Sequence, residues 1–245
     1  MEYLLFYLTI FLTHIIQGIT GFAGTLLAMP LSLRLVGMGT AVPVLNGLGL
    51  ASGIYVWLGN RKWVDRHELI RALVVMIPAM LLGAALRSLL AGEQRTLYYI
   101  LGGIVLALAI KGIIETFLIR SDGKPKRLPP VLAYGSLALA GIVHGLFVCG
   151  GPLLIIYLAD RLRQKEAFRA TLSTIWIFLN GILLITQIIA GDWTLRLLGV
   201  QLTALPVLFL AMAIGSLLYR KMNQRLFMII TYILLLFSGI SLFLK

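Results

Sequence analysis

From Tyr3 to about Leu33 the chain runs roughly 31 residues without a Lys, Arg, Asp or Glu. As one α-helix this stretch would be about 46 Å long, against a bilayer hydrocarbon core of about 30 Å. It is too long for one upright span. Gly18, Gly21 and Gly24 sit at its centre with Thr20 and Thr25 among them, so the run must either tilt and kink or break into two helices that turn back. The pattern recurs 127 positions on: Gly18 matches Gly145, Gly24 matches Gly151, Thr25 matches Pro152 and Arg34 matches Arg161. The second copy is a long run from Val131 to Ala159, interrupted at Gly150 and Gly151. Two copies of one unit are implied.

Composition sets the class. The chain is 60% hydrophobic and 12% charged, with a mean hydropathy of +0.99, whereas soluble domains carry about 25% charged residues. Apolar runs near 20 residues that do not alternate imply α-helical spans, in which each backbone satisfies its own hydrogen bonds inside lipid. An all-α polytopic membrane protein is therefore expected, one transmembrane domain over residues 1–245 with no soluble module. The net charge of +12 lies in short loops between the runs, where it reports orientation against anionic headgroups rather than nucleic-acid binding. The single Cys149 excludes an internal disulfide and any paired-cysteine metal or redox motif. No metal or cofactor is expected. Glu2 and the lack of Lys or Arg before the first apolar run do not suit a cleaved signal peptide.

The other runs are Ala41 to Leu58, Leu69 to Leu90, Thr96 to Leu118, Ala170 to Ala190, Leu195 to Tyr219 and Leu226 to Leu244. The charged, Gly- and Pro-containing stretch Arg120 to Pro130 is a linker, dividing repeat 1 (about 1–119) from repeat 2 (about 131–245). A second charged linker is read at Asp160 to Arg169. If all eight runs cross fully, ten Lys and Arg fall on each side. If the first and fifth are re-entrant hairpins, the division becomes fifteen against five, a positive-inside signal. Hairpins also give each half an odd number of crossings, which makes the four-segment repeats inverted and puts both termini outside. Inverted repeats with broken helices are a transporter architecture whose site lies at the breaks. Kinked continuous helices in a parallel repeat remain the alternative.

A helix that starts inside the membrane presents amides without intrahelical partners and the positive end of its dipole, and it attracts anions. Phe22, Ala23, Gly24 and Thr25 would supply such amides in the first copy, and Cys149, Gly150 and Gly151 in the second. Glycines 18, 21 and 145 permit tight turns and close backbone approach. Pro152 suits the start of a helix and removes one donor, so the copies should bind unequally. Gln17 and His144 align just before the turns, Thr20 flanks the first, and Asn46, Ser173 and Asn180 lie on the segments after the hairpins. Each has a competing packing role, since small and hydroxyl residues commonly serve helix contacts in membranes. His144 is also a candidate proton carrier, and His14 a weaker one. Lys111 and Glu115, four apart, are expected to pair with each other.

The motifs G-x-x-G-F-x-G from Gly18 to Gly24 and G-x-x-x-x-G-G-P-L-L-I-I from Gly145 to Ile156, with four plus four segments, resemble the TauE/SafE family over the whole chain. Val148, Ala23 and Pro152 stand where the family usually has glycine, and Tyr157 where it has a second proline. The resemblance implies a permease of a bacterial-type cytoplasmic membrane. Its expected partners are a small sulfur-containing anion, such as sulfite or a sulfonate, and the lipid bilayer, and its expected direction is export. No carboxylate is expected at midmembrane, so coupling would run through His144, a protonated substrate or backbone carbonyls, with a passive route open. An anion channel or a subunit of a larger complex is the alternative. A membrane-embedded enzyme lacks a convincing catalytic set. The anion, coupling ion and oligomeric state are not readable from the residues.

Overall fold

A computed structural model describes residues 2–86, 129–148 and 150–243, together with scattered positions between 99 and 114. Cys149, the Lys111 and Glu115 pair, most of the fourth run and the linker up to residue 128 lie outside the described residues. The elements are α1 (Glu2–Thr20), α2 (Ala23–Val36), α3 (Met38–Asn60), α4 (Arg66–Leu86), α5 (Pro130–Phe147), α6 (Gly151–Arg161), α7 (Lys165–Ile189), α8 (Leu195–Lys221) and α9 (Gln224–Phe243). By length and apolar composition, five stretches can cross a membrane: Glu2–Thr20, Met38–Trp63, Arg66–Leu86, Lys165–Ile189 and Leu195–Lys221.

Both long runs are broken where the glycines stand. α1 closes with a bond from Gly21 N–H to Gln17 C=O at 2.7 Å. Gly21 then takes φ of +85°, a left-handed conformation open to glycine at little cost. The chain reverses: a Cβ placed on Gly24 would lie 2.7 Å from Gln17 Cβ and 3.2 Å from His14 Cδ2. In an unbroken helix, residues 14 and 24 would be about 15 Å apart. α2 therefore returns along α1. In the second run α5 ends at Val148, which has φ of 57° and donates its N–H to His144 C=O at 2.8 Å. This is a left-handed C-cap, a position usually held by glycine. α6 starts at Gly151, with Pro152 as its second residue.

The chain gathers into two compact units. One comprises residues 1–74 and 166–221, the other residues 75–165 and 222–245. In the first unit α1 packs on α8 through glycines: a Cβ on Gly18 would lie 2.9 Å from Gly215 Cα and 2.9 Å from Met212 O. Gly53 brings α3 to α7, with Ser173 O 2.9 Å from where its Cβ would be. In the second unit Gly83 and Gly145 join α4 to α5, since a Cβ on either would collide with the carbonyls of Ile142 and Met80 respectively. Gly150 is pressed against Ala140 O, between α5 and α6. Small residues admit such backbone approach, which drives helix association where lipid offers no hydrophobic contrast.

Candidate functional site

In the first unit, the turn at residues 20–24 lies inside the apolar bundle. Thr20, Phe22 and Ala23 are buried, as are Gln17 and Thr25. The orphan amides expected at the start of α2 are present, but the chain's own side chains hold them. Thr20 Oγ1 donates to Ile16 C=O at 2.9 Å and accepts from the N–H groups of Phe22 and Ala23, both at 3.4 Å. Gly24 N–H donates to Gln17 Oε1 at 2.8 Å. The same carboxamide donates through Nε2 to Ser52 Oγ at 3.1 Å and, more weakly, to Gly21 C=O at 3.4 Å. Ser52 in turn donates to Gly49 C=O. A partially negative oxygen of the chain itself thus sits on the amide of Gly24, the position that the sequence reading gives to an anion's oxygen.

Polar groups continue outward from this turn. Gly49 faces both Thr25 and Asn180, whose Oγ1 and Nδ2 lie 3.6 and 2.8 Å from where its Cβ would be. Asn46 Nδ2 donates to Asn180 C=O at 3.2 Å and to Gln187 Oε1 at 3.1 Å. Asn46 Oδ1 is buried without a hydrogen-bond partner among the described residues. Ser173 Oγ lies 3.1 Å from where a Cβ on Gly21 would be, and it too is buried without such a partner. The structure therefore brings Gln17, Thr20, Thr25 and Ser173 to the first turn, with Asn180 next to it beside Gly49 and Asn46 a step further out against Asn180 and Gln187. Gly18 and Gly24 carry helix packing there, which is the competing role read from the sequence.

Sequence reasoning passed over Arg169, Ser52 and Gln187. The charged linker expected at Asp160 to Arg169 is shorter than that: α7 begins at Lys165 and carries Arg169 inside, 3% exposed. Its Nη2 donates to Gly18 C=O at 2.5 Å and to Ser216 Oγ at 3.1 Å. Its guanidinium lies 4.4 Å from the centre of the Tyr219 ring. A signal was available: residues 169, 173, 180 and 187 are spaced by four, seven and seven and fall on one face of a 3.6-residue helix. All four are polar and buried.

The second turn belongs to the other unit. His144, Gly145, Gly150, Gly151 and Pro152 are buried there. Gly150, the N-cap of α6, has no side chain to offer, and Pro152 has no N–H, so the first turn of α6 carries amides only at Gly151 and Leu153. The two turns thus differ in donor content, as their sequences imply. Tyr157 is fully buried, with its ring 6.3 Å from that of Tyr134 and 5.1 Å from the guanidinium of Arg161.

Set against known families, the sequence matches the sulfite exporter TauE/SafE family over residues 6–242. This chain belongs to the TauE/SafE family. It is similar to the "Probable inner membrane transporter protein TsaS" of Comamonas testosteroni, 26% identical over 175 residues, covering 70% of this chain and 71% of that protein. No solved structure matches it. Family and fold agree: several helices of membrane-crossing length suit a multi-pass membrane transporter.

Proposed function

We propose that this TauE/SafE protein is a secondary permease that exports a small sulfur-containing anion, sulfite or an organosulfonate, by alternating access, with the anion held at the glycine turns. The observation that carries the reading is the first turn. It is a break inside an apolar bundle whose amides face polar oxygens, ringed by buried hydroxyl and amide groups and by one guanidinium. Such a place favours negative charge through the positive end of α2 and through oriented donors. Among the described residues no carboxylate joins that ring, so a cation cage is a poor fit. In this reading Gln17 Oε1 holds the place of the anion when the turn is empty and yields Gly24 N–H on binding. The two halves are inverted repeats, and the second turn, with Gly151, Leu153 and His144, is the counterpart of the first.

Purified protein reconstituted into liposomes tests the proposal. Uptake of sulfite or sulfoacetate should saturate and show counterflow. Flux that rises linearly without counterflow would identify a channel, and no flux from the chain alone would make it a subunit of something larger; either result ends the permease reading.

A further inference from the structure

Arg169 carries a full charge into the buried surroundings of the first turn. A buried guanidinium is costly unless a negative charge balances it. Here its partners are all neutral: the carbonyl of Gly18, the hydroxyl of Ser216 and the face of Tyr219. Those contacts fix the position of the head group and leave its charge unbalanced among the described residues. They also leave Nε–H, buried, without a hydrogen-bond partner among those residues. One helical turn along α7, Ser173 Oγ is in the same condition and is 1% exposed. Both side chains meet at Gly21. A Cβ there would lie 3.1 Å from Ser173 Oγ and 3.3 Å from Arg169 Cγ. The stem of Arg169 and the hydroxyl of Ser173 therefore both border Gly21, at the break that precedes α2, and each side chain keeps a buried donor without an acceptor among the described residues.

We infer that Arg169 and Ser173 are the cationic and hydroxyl arms of the anion site at the first turn, selecting an oxyanion with two or more oxygens on one centre, such as a sulfonate or sulfite. The inference rests on the reading of that turn as the substrate site. A planar guanidinium matches paired oxyanion oxygens with charge-assisted bonds, which a point cation does not do as well. A purely structural tie between α1, α7 and α8 would account for Nη2 but not for the unused Nε–H and Ser173 hydroxyl.

The test uses the full chain purified in detergent. Thermal unfolding is followed with sodium sulfite, thiosulfate or sulfoacetate, each against chloride at matched ionic strength. The unaltered protein should be stabilised by at least one of the three. Arg169→Met, which keeps the bulk and removes the charge, should weaken the affinity for that anion on the order of 100-fold. Its midpoint without added anion should equal or exceed that of the unaltered protein, because an unbalanced buried charge has been removed. Should Arg169→Met fail to fold, Arg169→Lys and Ser173→Ala decide, each expected to weaken binding roughly tenfold. Unchanged affinity in Arg169→Met, or in both of the other variants, overturns the inference and leaves the turn as a substrate site. No stabilisation of the unaltered protein by any of the three anions overturns the substrate reading and the inference with it.

Discussion

Gly21 shows how much one residue decides. Its φ of +85° costs an L-residue about 1–2 kcal/mol, and a side chain there would also displace Ser173 and Arg169. Gly37 supplies the control, with φ of +74° and nothing within 4 Å of where its Cβ would be. Gly21→Ala and Gly37→Ala should both lower the unfolding midpoint through backbone strain. Only Gly21→Ala should also weaken anion binding, because only there does the methyl group crowd the polar arms. Gln17 invites a sharper experiment. Gln17→Glu would set a carboxylate on the amide of Gly24, in place of the neutral oxygen now 2.8 Å away. A built-in anion of this kind should compete with the substrate and reduce apparent affinity about tenfold or more. Wild-type affinity in Gln17→Glu would show that the anion does not use the Gly24 amide.

Among the elements, the α1 and α8 pair is held by glycine against glycine. Gly18→Ala would force a methyl group to within 2.9 Å of Gly215 Cα and Met212 O, an overpacking that costs typically about 1–3 kcal/mol. The expected result is a clear loss of thermal stability, and a neutral midpoint would mean that the two helices separate freely. The same α1 end carries the carbonyl that Arg169 holds. Much of this was legible in the sequence. Run length and glycine placement located both breaks, because a 31-residue apolar run has few ways to fit a bilayer. The closure of the amides was not legible, because Gln17 reaches Gly24 seven residues on only after the chain has turned at Gly21. Arg169 was hidden for another reason. Its charged neighbours from Asp160 onward read as a solvated linker, and a span counted from Ala170 leaves it one residue outside. Register with Ser173, Asn180 and Gln187 on α7 would have brought it in.

At the scale of the whole molecule, the hairpin at Gly21 bears on which face of the membrane each loop occupies. The turn at Gly21 makes α2 run back along α1, so the two ends of this hairpin, Glu2 and Met38, belong on one side if the pair dips in and returns. In the hairpin reading fourteen Lys and Arg, the fifteen less the buried Arg169, stand against five and would put that side outside, with the α8 to α9 loop at Asn223 inside. Single cysteines report this directly once Cys149 is replaced by serine. Glu2→Cys, Met38→Cys and Asp192→Cys should react with a membrane-impermeant maleimide in intact cells, whereas Asn223→Cys should react only after the membrane is opened. The decisive comparison is between Glu2→Cys and Met38→Cys. A full crossing places them on opposite faces, restores the even division of charge, and makes the repeats parallel. Labelling of both from outside, with Asn223→Cys protected, is the result that inverted repeats require.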